Sequence, residues 1–94
     1  MRFRIVQTSL YRKSYRQVSV RKGFSQLKLD IVVNSLAAGN ILPATNKDHQ
    51  LQGNLRRYRE CHVQPDVLLM YEIRDDILVL VLVDIGSHND LFKK

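Results

Sequence analysis

The chain carries three histidines, His49, His62 and His88, all in its second half and each close to a carboxylate. Imidazole exchanges protons near neutral pH, so two such side chains can act as base and acid in one reaction. The nearby carboxylates are Asp48, Glu60, Asp66 and Asp90. RNA cleavage without a metal ion needs this pairing, because a base must deprotonate the ribose 2′-hydroxyl and an acid must protonate the departing 5′-oxygen.

Other interpretations of these residues stay open. A lone histidine is often an ordinary surface or turn residue. Three imidazoles with Asp66 could hold zinc in a metal-dependent hydrolase, although their spacing matches no compact zinc motif. In the metal-free reaction a cation must stabilise the phosphorane, and we expect Arg59 or Lys47 to supply it. Phe92 could stack on a base or cover the edge of the core.

The composition favours a polyanionic partner. Fifteen Lys and Arg residues against nine Asp and Glu give a formal charge of +6 and an isoelectric point near 9.8. The positive residues are concentrated in the first third of the chain and again at 56–59. Nucleic acid and an acidic protein both fit this pattern, and so does ordinary solubilising charge.

The 94 residues predict one domain, 1–94, with a single hydrophobic core. The only cysteine, Cys61, cannot form an internal disulfide, which favours a reducing cytoplasm. We expect no signal peptide, because residues 2–6 alternate charged and apolar types. The longest apolar run, residues 77–83, is far too short to cross a bilayer.

Hydrophobic spacing predicts a strand and two helices in the first half. Residues 2–7 alternate as in a strand, and Thr8 or Ser9 could cap a helix that Gly23 ends. Ser25 could cap a second helix, which stops before Gly39. Its apolar stripe consists of Leu29, Val32, Val33 and Leu36. The polar residues that follow, 40–54, predict a long loop, and such loops often carry function.

The second half predicts an antiparallel sheet. Three segments have strand-like length and composition, residues 55–63, 67–74 and 77–85. The last is apolar nearly throughout, so we expect it to be central or covered on both faces. Two-residue turns at 64–65 and 75–76 would join the three strands.

This register brings candidate catalytic side chains together. It places His62, Glu60 and Asp84 on one face of the sheet. It also brings Asp66 and His88 beside His62, where the three side chains could surround a single ligand atom. Cleavage chemistry is therefore expected at the end of the sheet near the first turn.

The second half also resembles a known family. Its motifs read KDHQLQG at 47–53, YRECHVQPD at 58–66, LLMY at 68–71 and GSHNDLF at 86–92. These segments resemble, in order and spacing, the YafQ branch of the RelE/ParE superfamily of toxins, over about half of the chain. The first half is similar mainly in its helical hairpin.

The resemblance implies an α+β fold, in which an N-terminal strand and a two-helix hairpin pack on a twisted antiparallel sheet. The active site would lie on the open face of that sheet. The implied activity is that of an endoribonuclease, an mRNA interferase that acts commonly on the ribosome. Attack by the 2′-hydroxyl would leave a 2′,3′-cyclic phosphate, with no metal or other cofactor. The implied catalytic set is His49, His62, Asp66 and His88, with Glu60 and Phe92 supporting the substrate.

The implied partners are a cognate acidic antitoxin, mRNA and the ribosome. Operator DNA would be bound only through the antitoxin complex, and no membrane is involved. One position departs from the family pattern, because Asp84 stands where relatives usually carry arginine before the Gly-Ser-His segment. An anion there would repel the scissile phosphate. The alternative function is therefore a catalytically weakened module that binds antitoxin and operator DNA.

Overall fold

A five-stranded sheet with a helical hairpin on one face forms the protein, seen in a computed structural model that describes residues 1–92. The strands are β1 (Arg4–Gln7), β2 (His49–Gln50), β3 (Arg59–Gln64), β4 (Val67–Arg74) and β5 (Val79–Gly86), and the helices are α1 (Ser9–Val18), α2 (Gln26–Ala37) and α3 (His88–Phe92). The strand order is β1-β5-β4-β3-β2, with β1 parallel to β5 and the other neighbours antiparallel. The α+β class is confirmed. The last predicted strand, β5, was expected to be central or covered on both faces, and it is an inner strand between β1 and β4.

The two long helices begin where their sequences predict. Thr8 caps α1 and Ser25 caps α2, each accepting a hydrogen bond from the backbone N–H three residues later, at 2.9 and 3.2 Å. The predicted apolar stripe of α2 is buried. The prediction that Gly23 ends α1 was wrong, because α1 ends at Val18, its last buried residue. Gly23 instead takes a positive φ of 86° within the turn toward α2.

The turns of the sheet differ from the prediction. Gln64 lies opposite Val67, so the first turn is one residue later than expected. Four residues, 75–78, join β4 to β5 in place of the two that were expected. Leu78 in this turn takes a left-handed conformation with φ of 54°, and its exposed side chain was mistaken for part of a strand.

The segment 40–54 is more ordered than a plain loop. It contains a 3₁₀ turn at Ala44–Asn46, the short strand β2, and the start of a second 3₁₀ turn at Gly53–Leu55. The second turn delays β3, which begins at Arg59 and not at residue 55. The segment thereby adds an edge strand to the sheet.

The two faces of the sheet carry separate apolar clusters. The larger core packs the sheet against the α1–α2 hairpin and includes Cys61, a core residue as predicted. The opposite face carries Leu68, Met70 and Leu91, with Phe92 packed against them. This second face, called the open face below, is covered only in part by α3 and by the loop ahead of β3. Within residues 1–92, no helix has the length and apolar character to span a membrane.

Candidate active site on the open face

The strand register brings Glu60, His62 and Asp84 to the open face. Glu60 lies opposite Met70, which lies opposite Asp84, and His62 lies opposite Leu68. Cross-strand partners share a face, so the predicted grouping holds although both predicted turns were wrong. At these positions, the observed pairing of β3 with β4 and that of β4 with β5 each differ from the predicted pairing by an odd number of residues. One odd shift moves a side chain to the other face, so two odd shifts leave Glu60, His62 and Asp84 on the same face as each other.

The short strand β2 adds His49 to this face. His49 lies opposite Glu60, and its Nε2 is 3.6 Å from Glu60 Oε1. Its Nδ1 is 2.7 Å from the carbonyl oxygen of Lys47. A carbonyl can only accept, so Nδ1 carries the donated proton and Nε2 is the nitrogen that faces the carboxylate. His49 can therefore exchange a proton at Nε2.

A pocket of about 290 Å³ lies where β3 ends and α3 begins. Its lining consists of Glu60, His62, Pro65, Asp66, Leu68, Ser87, His88 and Asn89. The structure thus brings together His62, Asp66 and His88, which the sequence predicted to meet. Glu60 is 5% exposed, and its Oε2 has no hydrogen-bond partner among residues 1–92. This oxygen is therefore a buried acceptor without a partner among the described residues, on a side chain that lines the pocket.

Helix α3 presents His88 and Phe92, whose ring centroids are 5.0 Å apart. The hydroxyl of Ser87 accepts a hydrogen bond from the N–H of Asp90 at 3.1 Å, and Asp90 Oδ2 accepts one from the N–H of Ser87 at 2.8 Å. This reciprocal pair is a capping box, which fixes the first turn of the helix. The Ser-x-x-Asp signature of this capping box is present in the sequence and could have predicted the start of α3.

Arg21, in the connection between α1 and α2, binds α3 through the side chain of Asp90. It donates to Asp90 Oδ2 at 2.7 Å. The Arg21 guanidinium, and then the Ser87 N–H, lower the pKa of Asp90 to about 2. Gly86 leaves room for this contact, because a Cβ there would lie 2.8 Å from Asp90 Cβ. The position of His88 thus depends on Arg21, which the sequence did not single out, as well as on Ser87 and Asp90 of the Gly-Ser-His segment.

Arg59 lies on the other face of the sheet. It donates to Asp48 Oδ2 at 3.2 Å and to the Tyr71 hydroxyl at 3.3 Å, while Tyr71 donates to Asp48 Oδ1 at 2.5 Å. Burial, and then the hydrogen bond to Asp48, raise the pKa of Tyr71, so it remains a donor. Arg59 does not line the pocket with His62, and its network holds the residue before His49.

Asp84 shares the open face without lining the pocket. Its side chain is buried, with 3% exposure for the residue, and Oδ1 accepts a hydrogen bond from the N–H of Ile85 at 2.8 Å. Asp84 Oδ1 is thus directed to the backbone of β5, and Asp84 is not among the residues that a phosphate in the pocket would contact.

The zinc hypothesis gains no support from the geometry. Within residues 1–92, no group of three or more His, Cys, Asp or Glu side chains is arranged to hold a metal ion. His49 contacts Glu60 and Lys47, whereas His62 and His88 line the pocket. The three imidazoles therefore do not form a common ligand set.

Comparisons with known proteins agree with this fold. The sequence model of the family described as "Bacterial toxin of type II toxin-antitoxin system, YafQ" matches residues 3–93. The mRNA interferase toxin YafQ of Escherichia coli K12 is 45% identical over 51 residues, 54% of this chain and 53% of that protein. The chain thus spans about half the length of the curated relatives it matches.

Two solved structures are similar over almost their whole length. A metal-bound toxin from Helicobacter pylori superposes with a TM-score of 0.85 at 39% identity, covering 96% of this chain and 99% of that chain. A chain of the E. coli DinJ-YafQ toxin-antitoxin complex superposes with a TM-score of 0.83 at 31% identity, covering 98% of this chain and 99% of that chain.

Proposed function

The chain belongs to the YafQ family of bacterial type II toxin–antitoxin toxins, and we propose that it is an endoribonuclease that cleaves mRNA by metal-independent acid–base chemistry. The observation that carries this proposal is the pocket in which His62, His88 and Asp66 meet. Two imidazoles and a carboxylate in one open pocket supply the proton donor and acceptor that RNA cleavage needs. The curated E. coli relative is named an mRNA interferase toxin, which supports the same reaction.

In the proposed reaction, His49 or His62 removes the proton of a ribose 2′-hydroxyl. The 2′-oxygen then attacks the adjacent phosphorus, and the bond from phosphorus to the 5′-oxygen breaks. His88 protonates that 5′-oxygen, which leaves a 2′,3′-cyclic phosphate and a free 5′-hydroxyl. Glu60 stabilises the protonated His49 at Nε2 from 3.6 Å, and Phe92, beside His88, offers a ring on which a base stacks.

The proposed partners are an acidic antitoxin, mRNA and the ribosome, with operator DNA bound only through the antitoxin complex. The charge of +6 suits each of them. The similarity to a chain of the DinJ-YafQ toxin-antitoxin complex supports the antitoxin in particular. All of these partners belong to the cytoplasm, where we propose that the protein acts.

Cleavage of a defined mRNA by the purified protein in EDTA, and separately of the same mRNA on ribosomes in a magnesium buffer, tests the proposal. We expect cleavage of the free mRNA in EDTA, faster cleavage on ribosomes, and fragments whose 3′ ends carry a cyclic phosphate. The matched control is His88→Gln, which should bind RNA but cleave slowly. Activity that disappears in EDTA and returns with a metal ion would contradict the metal-independent mechanism.

A second candidate function is a binding module that holds antitoxin and operator DNA but cleaves poorly. It is favoured by Asp84, since a buried carboxylate stands where the resemblance expects a phosphate-binding arginine. Antitoxin binding together with an absence of cleavage, on ribosomes and off them, would favour this module over the enzyme.

A further inference from the structure

A second pocket, of about 350 Å³, adjoins the candidate active site. The two pockets share His62 and Pro65 as lining residues. The remaining lining residues of the second pocket are Lys28, Thr45, Asn46, Lys47, Val63 and Gln64. The lining therefore contains two ammonium groups and no carboxylate, in contrast to the first pocket with Glu60 and Asp66.

Hydrogen bonds to the backbone fix the walls of this second pocket. Asn46 donates from Nδ2 to the carbonyl oxygen of His62 at 2.7 Å. Gln64 accepts from the N–H of Ser25 and donates to the carbonyl of Gly23, both at 2.8 Å. Since Ser25 also caps α2, these contacts hold the first turn of α2, which carries Lys28, against the end of β3.

The two lysines differ from three arginines of the chain that are already paired with carboxylates. Arg21, Arg57 and Arg59 are each within 3.4 Å of a carboxylate oxygen. Neither Lys28 nor Lys47 takes part in an ion pair among residues 1–92, and both are exposed. Their charges are thus available to an anion that enters the second pocket.

We propose that the second pocket is a phosphate subsite of the RNA-binding surface, in which Lys28 and Lys47 bind the phosphodiester adjacent to the one that is cleaved. The inference rests on the proposed function. His62 stands between the two pockets, so a strand that places its reacting phosphate beside His62 extends its next phosphate toward the two ammonium groups. The subsite supplies positive charge for binding the RNA backbone. Position 84 does not, because it carries Asp84 where the family resemblance leads us to expect an arginine.

Binding of an RNA that cannot be cleaved tests the subsite separately from catalysis. The probe is a short single-stranded RNA with 2′-methoxy groups, titrated by fluorescence anisotropy at several salt concentrations. Each phosphate contact that is lost should lower the slope of log affinity against log salt by about 0.7. We expect Lys28→Ala and Lys47→Ala each to lower the slope by that amount and to weaken binding by about fivefold at low salt.

The matched control is Lys13→Ala, since Lys13 is an exposed lysine of α1 that lines neither pocket. Lys28→Arg should preserve the slope. A single-stranded DNA of the same sequence should show the same dependence on both lysines, because the subsite reads phosphate and not the 2′-hydroxyl. A double variant whose slope equals that of Lys13→Ala, or a lysine effect confined to RNA, would overturn the subsite.

The subsite and the proposed function can fail separately. If the wild-type protein binds the probe in a lysine-dependent way but cleaves no RNA, the subsite is supported and the enzyme is refuted. If it cleaves RNA and the double variant binds and cleaves like the Lys13→Ala control, the enzyme is supported and the subsite is refuted.

Discussion

The contact between Arg21 and Asp90 gives a testable link between the helical hairpin and the helix that carries His88. The Arg21 guanidinium and the Ser87 N–H lower the pKa of Asp90 from 3.8 to about 2. This lowering of the pKa corresponds to about 2 kcal/mol. The side chains of Arg21 and Asp90 are 45% and 38% exposed, so solvent screening reduces this to about 1 kcal/mol. Asp90→Asn should therefore lower Tm at pH 7 by about 4–8 °C.

The pH dependence follows from the lowered pKa. The charged form of Asp90 is favoured in the folded state, so its stabilisation is complete above pH 3.8 and is lost as the pH falls toward 2. Thermal unfolding followed by circular dichroism should thus show the wild type and Asp90→Asn converging in acid. Asp76→Asn is the matched control, because its ion pair with Arg74 is local and exposed. Equal Tm values at pH 7, or a difference that grows in acid, would refute the reasoning.

Three further predictions concern the site and the core. His88→Gln should cleave about 100- to 10,000-fold more slowly, with its Tm unchanged because His88 is exposed; wild-type rates would refute its role as the acid. Because the sequence led us to expect that Asp84 repels the scissile phosphate, Asp84→Arg would by that reasoning speed cleavage. The buried position instead predicts that Asp84→Arg lowers the free energy of unfolding by about 2 kcal/mol or more, measured by urea titration. An Asp84→Arg variant as stable as the wild type and faster in cleavage would restore the sequence-based expectation. Burial raises the pKa of Cys61 to about 12, so only about one thiol in 10,000 is ionised at pH 8. A disulfide reagent should therefore label Cys61 only after the protein unfolds. Rapid labelling of the native protein would contradict this.

The two long helices were predictable because their signals are local. The caps Thr8 and Ser25 and the apolar stripe of α2 act within a few residues, so spacing alone locates them. The end of α1 was predicted wrongly because Gly23 is a strong local stop signal. The helix ends earlier, at Val18, which is its last residue in contact with the core.

The face occupied by Arg59 could also have been predicted. The alternation that directs Cys61 away from Glu60 and His62 applies equally to Arg59, which places it on the hairpin face. Charge alone favoured Arg59 as a phosphate-binding residue, and charge carries no information about the face.

The sequence by itself determined the family, the α+β class, the two long helices and the residue types available for acid–base chemistry, because motifs, periodicity and caps depend on neighbouring residues. Only the tertiary structure decided which of those residues meet. The pairing of β4 with β3 and with β5 depends on turn lengths and on bulges, and a displacement by one residue moves a side chain to the other face. The contact of Arg21 with Asp90 and the approach of Lys28 to His62 join residues far apart in the chain, so they follow from how the hairpin packs on the sheet and from no local signal.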